Sequence, residues 1–347
     1  MNISKDDLFQ AGRASGLGDP QVETLWMHLH SVDQAKPKAR FDTVHVLYYM
    51  GALIVIGAMG WFMNNAWESF GGEGIFIIAS AYAAIFLVCG LLFWRRGTLR
   101  TPSGLLVTIG VCMVPLAIYG IERWTGFWSK EDPGNYTRFH PYINGSWLIM
   151  ETATIIVGVI ALCFCRFAFL TAPIAYALWF MSMDLADFCV KGSYSDRADI
   201  TMYFGLAMIL AAYVMDLRSR MVDLAFWGYI FGVMTFWGGL TDHNSTSEYA
   251  KLIYCLINCA MVVISLVLNR RVFSVFGAIG IFIYLWHLAD VLFKDSLAFP
   301  FILSAVGLAV IVAGVIMQKN HMRIRAWFVK HIQPSIRSAI PPSAMIE

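Results

Sequence analysis

The sequence predicts an all-α protein, a polytopic transmembrane helix bundle of about ten spans with both termini in the cytoplasm. Three observations predict it. Hydrophobic residues make up 59% of the 347 positions and charged residues only 14%, where a soluble domain carries roughly 45–50% and about 25%. The apolar residues gather into ten runs, each near the ~17–25 residues that cross a bilayer as a helix. Lys and Arg alternate between the run ends. With both termini inside, the inner face holds 18 of the 25 and the outer face seven, the bias that orients membrane helices.

Residues 1–42 read as a cytoplasmic amphipathic helical segment. Leu8, Ala11 and Gly12, then Val22, Leu25, Trp26 and Leu29, recur at helical spacing on either side of the breaker Gly16-Leu17-Gly18-Asp19-Pro20. Two such helices are too little for a core of their own. No cleavable leader pattern precedes them, so the first membrane helix is expected to serve as the targeting signal.

The transmembrane domain is expected over 43–317, with spans at about 44–63, 74–94, 103–122, 147–166, 168–189, 199–217, 221–240, 250–268, 272–293 and 297–317. Pro115, Pro173 and Pro300 are placed to kink the third, fifth and tenth spans. A kink at Pro173 would hinge the segment that carries Asp184. Gly51, Gly57 and Gly60, Gly228 and Gly232, and Gly277 and Gly280 have spacings that let helices approach closely. Asn258 at mid-span is expected to hydrogen-bond across helices. Six of the seven cysteines fall inside apolar runs, where they act as small apolar residues rather than a disulfide framework. Residues 318–347 form a basic cytoplasmic tail with an amphipathic piece around Ile324, Trp327, Phe328 and Ile332, suited to the membrane interface.

The partner expected throughout is the lipid bilayer, with anionic lipids at the basic inner face. The two tails are the candidate surfaces for a protein partner. No nucleic-acid signature, phosphate loop or haem motif occurs, and no cofactor is indicated.

Acids take the opposite side from the bases, 14 of the 23 lying outside. Several sit at or within span ends, where an ionisable group is costly to keep. Two stretches match: Asp184-Leu185-Ala186-Asp187 with Lys191, and His287-Leu288-Ala289-Asp290 with Lys294. They suggest a parallel helical-hairpin repeat at an offset of four spans. Asp184 and Asp187 share a helix face, as do His287 and Asp290. If the two spans meet, three carboxylates and an imidazole gather near the outer side, joined by Glu151 one turn into the fourth span. Such a cluster suits a proton, a cation or a cationic solute. Structural capping by Lys191 and Lys294 is the competing reading, and a partner such as Arg123 or Lys130 would make Glu151 structural. Glu122-Arg123 reads as an interfacial anchor beside Trp124 and Trp128. Two metal readings rest on less: copper at Met181 and Met183 near His287, and zinc at a set such as His140, His243 and His287 with an acid.

A short cytoplasmic helical segment leads here into His45-Val46-Leu47-Tyr48-Tyr49-Met50-Gly51-Ala52-Leu53 and Gly60-Trp61-Phe62. Trp67-Glu68, Ser80-Ala81-Tyr82, Gly104-Leu105-Leu106 and Val114-Pro115-Leu116-Ala117-Ile118-Tyr119-Gly120 follow. On these residues the stretch 41–128, roughly a quarter of the chain, resembles a bacterial family of multi-pass membrane proteins of unknown function. The resemblance implies an inner (plasma) membrane address. It supplies no substrate and no catalytic residues.

The residues then favour an integral membrane transporter or channel for a small solute or cation, proton-coupled, with an acidic outward vestibule of Asp187, Asp290, Asp184, His287 and Glu151. A non-catalytic accessory or assembly protein is the alternative. A membrane enzyme working at the outer face is the third reading, and the residue pattern weighs against it.

Overall fold

A computed structural model describes residues 8–9, 12, 15–35, 43–97, 99–127, 146–190, 194–218, 222–243 and 247–293, with isolated positions between 301 and 312. These residues hold helices and turns and no strand. The chain divides into two compact units, 1–47 and 48–347.

In the first unit, Ser15 and Leu17 close a turn by donating to the Gly12 carbonyl at 3.1 and 2.9 Å. The Gly18 amide donates to Gln21 Oε1 at 3.1 Å, which satisfies one of the orphan donors that any helix start leaves. Helix α1, Asp19–Ala35, follows. Its Val22 is buried against Gly12, where a Cβ would come within 2.4 Å of the valine. Of the expected earlier helix, only Leu8, Phe9 and Gly12 are among the described residues.

Helix α2, Thr43–Arg96, is a 54-residue element whose two arms meet at Gly71 (φ 60°, ψ 179°). A side chain there would be strained, so glycine permits the bend. Helices α3, Arg100–Cys112, and α4, Val114–Thr125, continue one another across Met113. The break falls two residues before Pro115, which lies in the first turn of α4, where its missing N–H leaves no bond unmade. Helix α5 is Ser146–Phe164, and after a 3₁₀ turn at Ala168–Leu170 comes α6, Thr171–Cys189. Pro173 lies in the first turn of α6 and starts that helix rather than kinking it. The hinge expected there is absent, and Pro300 lies outside the described residues. Helices α7, Tyr194–Arg218, α8, Phe226–Asp242, α9, Glu248–Leu268, and α10, Arg271–Phe293, complete the described chain.

Among the described residues, eight segments are long and apolar enough to cross a membrane: Thr43–Trp61, Phe70–Arg96, Arg100–Thr125, Trp147–Phe164, Ala168–Ala186, Asp196–Arg218, Glu248–Leu268 and Arg271–Leu288. Each matches one of the expected spans. Helix α8, with 17 residues, occupies the place of the seventh. The tenth, at 297–317, and the tail after it lie almost wholly outside the described residues. The surface agrees with a lipid surround. Leu53, Ile54, Phe164, Leu256 and Phe282 are each more than half exposed, and apolar surface on that scale needs a partner, here hydrocarbon. The chain is a multi-pass membrane protein.

Close backbone approach sets the packing. In α2 and α3–α4, Gly72 meets Arg123 and Trp124, Gly120 meets Phe76, and Gly90 meets Val107, an antiparallel register. In α7 and α8, Gly205 meets Phe236, Gly239 meets Met202, and Gly232 meets Met208. In α9 and α10, Gly277 and Gly280 meet Asn258. A Cβ at Gly51, Gly57 or Gly60 would meet nothing within 4 Å among the described residues, so the first of the three small-residue spacings does not bring described helices together. Buried Ile75, Ala79, Leu116, Tyr119 and Met150 join α2, α4 and α5. Ala212, Tyr229, Val233, Met261 and Phe273 join α7 to α10. Helix α6 packs on α3, α5, α7 and α8, whereas α10 packs on α8 and α9.

Candidate functional site

The ends of α4, α6, α8 and α10 lie at the same end of the bundle as the starts of α5, α7 and α9. That end carries two separate polar groupings. The first is buried. Glu151, one turn into α5, and Asp184, near the end of α6, are 6% and 0% exposed. Antiparallel packing of α5 and α6, in which Gly158 seats Ile174, brings the two carboxyls close enough to interact electrostatically. Two carboxylates are both acceptors, so a hydrogen bond between them requires that one carries a proton. Nearby, Thr154 donates to the Met150 carbonyl (2.6 Å) and Ser182 to that of Trp179 (2.6 Å). These hydroxyls satisfy themselves on their own helices. Arg123, one of the partners weighed for Glu151, donates instead to the Tyr119 hydroxyl at 3.2 Å; Lys130 lies outside the described residues.

The second grouping lines a groove of about 440 Å³ between α7, α8, α9 and α10. Its polar lining is Asp199, Thr241, His243, Lys251, Tyr254, Tyr284 and His287. Lys251 Nζ lies 2.9 Å from His287 Nε2 and 2.7 Å from Glu248 Oε1, and His287 Nε2 is 3.4 Å from that same oxygen. Across the groove His243 Nδ1 stands 3.7 Å from Asp199 Oδ1. The hydroxyls of Thr241 and Tyr254 are 3.1 Å apart.

The expected five-residue cluster is therefore divided. Glu151 and Asp184 come together in one place, and His287 belongs to the other. Helix α8 packs on both α6 and α10 and is their common neighbour. The two matching stretches sit in unlike surroundings, Asp184 fully buried and the His287 side chain 31% exposed. The side chains of Asp187 and Asp290 lie outside the described residues. Met181 and Met183 are half-buried on α6, whose main packing partners do not include α10, the helix carrying His287. His140 lies outside the described residues. His243 and His287 do line one groove, yet no cluster of three or more His, Cys, Asp or Glu able to hold a metal occurs among the described residues.

Two features were not legible at this level from the sequence. Glu122, taken for an interfacial anchor, is 4% exposed, and neither of its oxygens has a hydrogen-bond partner among the described residues. Its neighbour Trp124 is 54% exposed, as an anchor should be. At the opposite end of the bundle, Arg270 binds Asp216 through Nε (3.2 Å) and one terminal nitrogen (2.9 Å), and binds Asp223 as well. Its guanidinium carbon also stands 5.2 Å from the centre of the Tyr229 ring, a cation–π distance. Burial works against the Arg270 charge, but the hydrogen bonds and charges of Asp223 and Asp216 outweigh it and raise the pKa above the ordinary arginine value. For the groove, the sequence pairs His243 with His287, and the i,i+3 spacing of Glu248 and Lys251 is a further signal.

Comparison with family models, with curated proteins and with solved structures finds no match.

Proposed function

We propose that this multi-pass membrane protein is a transporter or channel for a small solute or cation, coupled to protons, with its acidic end facing outward. The observation that carries the reading is the burial of two carboxyls, Glu151 and Asp184, on the packed helices α5 and α6. Ionisable side chains inside membrane helices are expensive and mark ion or proton paths by default. Two carboxyls in one low-dielectric site do not both ionise, so the pair holds a proton between them. Losing it would leave adjoining negative charges that a cation, a second proton or a helix movement must relieve. Asp187 and Asp290 extend the same end of the bundle along the chain and are the proposed outer members of the path.

The basic end then faces the cytoplasm, where anionic lipids and the two tails' partners would meet it. An inner-membrane address in a bacterium follows from the resemblance of residues 41–128.

The test is proton movement into proteoliposomes holding a pH-sensitive dye, driven by an imposed potential, with a panel of monovalent and divalent cations and small solutes. Wild-type protein should move protons with at least one member. Glu151→Gln and Asp184→Asn, isosteric and unable to release a proton, should each abolish that movement while melting no lower than wild type. Wild-type flux in both variants, or no proton movement with any member of the panel, defeats the reading.

A further inference from the structure

The groove between α7 and α10 presents a different chemistry from the Glu151–Asp184 pair. At about 440 Å³ it falls within the ~300–1,000 Å³ typical of small-molecule sites. Its wall divides into a cationic corner and an apolar floor. In the corner, Lys251 and His287 converge on one carboxylate oxygen, that of Glu248, at 2.7 and 3.4 Å. The structure thus shows Lys251 receiving a carboxylate beside His287. Glu248 supplies it from outside: its side chain is 63% exposed and is not part of the groove lining. A lysine ammonium has three N–H donors: Glu248 takes one, and His287 Nε2 takes a second in the tautomer that leaves it an acceptor, so Lys251 supplies the charge and the remaining donor. The floor is formed by Ile253, Ile257 and Ile283. Ile253 and Ile283 are themselves 52% and 39% exposed, so the floor continues into the lipid-facing surface. On the far wall Asp199 repels a second negative charge.

We infer that this groove binds an amphipathic organic monocarboxylate, its head on Lys251 beside His287 and its apolar body along Ile253, Ile257 and Ile283. A fully hydrophilic anion would leave the floor bare, and a cation would meet Lys251. Glu248 is a competitor for the same corner, so its exposed ion pair opposes binding. As the solute of the transporter proposed above, such an anion rests on that reading. Binding at equilibrium does not, so a groove that binds in a chain that moves nothing is told apart from a chain that moves protons with an empty groove.

The experiment uses the full chain in phosphatidylcholine nanodiscs, titrated with octanoate and followed calorimetrically. Octanol and octyltrimethylammonium serve as the uncharged and cationic probes of equal chain length. Wild type should bind octanoate saturably and neither control. Lys251→Gln should weaken octanoate binding by about tenfold or more, the worth of a charge-assisted contact. Glu248→Gln should tighten it by about two- to fivefold, the worth of the exposed ion pair removed. The opposed directions are the signature, since residues that merely braced the helices would both lose binding. Octanoate binding unchanged in Lys251→Gln, octanol binding as well as octanoate, or weakened binding in Glu248→Gln overturns the inference. Should Lys251→Gln fail to fold, Glu248→Gln decides alone: tightening supports the site, and no change or loss removes it.

Discussion

A methyl group at Gly280 would lie 2.0 Å from Asn258 Oδ1, the atom that accepts a hydrogen bond from Trp237 Nε1–H at 3.1 Å. The Asn258 amide in turn donates to the Tyr254 carbonyl at 2.8 Å. Asn258 cannot retreat without breaking both bonds. Gly280→Ala should therefore destabilise the protein by about 1–3 kcal/mol, the range for overpacking, read as a lowered midpoint in detergent unfolding. Gly57→Ala, with open space around it among the described residues, should be neutral or stabilise by about 0.5–1 kcal/mol through helix propensity. Equal losses at both positions would remove the packing role assigned to Gly280. Asn258 was legible because a lone amide in an apolar run must find a partner. Glu122 was not. Flanked by Arg123 and Trp124 it has the composition of an interface, but two positions along a helix turn the direction by about 200°, which sends Trp124 outward and Glu122 inward. Sequence composition has no record of that rotation when the surrounding helix is apolar on every side.

At the scale of elements, Arg270 ties the turn between α9 and α10 to the last turn of α7 and the segment before α8. Its bond to Asp216 is enclosed, with side chains 10% and 3% exposed, while Asp223 is 45% exposed. Removing one member of an enclosed pair strands the other, which costs about 3–5 kcal/mol; an exposed pair contributes about 0–1 kcal/mol. Arg270→Ala and Asp216→Ala should both fall in the larger class and Asp223→Asn in the smaller, measured as unfolding free energies of the purified protein. A double Arg270→Ala/Asp216→Ala variant no worse than either single one would show that the two act as a unit. The sequence displayed Arg270 only as one of the inner-face charges. Positions 216 and 270 are two helices apart, and nothing local couples them. Glu151 and Asp184 were legible in part: span-end polarity grouped them, but sequence likeness added His287, which the packing of consecutive helices α5 and α6 leaves in the groove instead. Hydropathy locates helices because the bilayer forces it. It does not choose their faces, because lipid is as apolar as the neighbouring helix.

For the whole molecule, topology turns on two segments. Helix α8 has 17 residues, about 25 Å at ~1.5 Å per residue, short of the ~30 Å hydrocarbon core. Yet it lies antiparallel to α7 through Gly205–Phe236 and Gly239–Met202, and antiparallel to α9 through Trp237–Asn258 and Thr241–Tyr254. With a spanning helix on each side running the other way, α8 is expected to cross as well, with polar Thr241, Asp242 and His243 meeting water at its end. The run at 297–317 then decides on which face the chain ends. Cys189, exposed at the last position of α6, gives a native handle on one face, and Glu347→Cys gives one at the C-terminus. With each as the sole cysteine, a membrane-impermeant maleimide applied to intact cells should shift the mass of the Cys189 protein. It should leave the Glu347→Cys protein unlabelled until the membrane is opened. Labelling of both from outside would mean an even number of crossings after α6, which removes the span at 297–317. Labelling of Glu347→Cys alone would invert the molecule and place Glu151, Asp184 and the groove at the cytoplasmic face. In that orientation the positive-inside bias would be violated by the 18 to seven distribution of Lys and Arg, so the first outcome is the one the charges require.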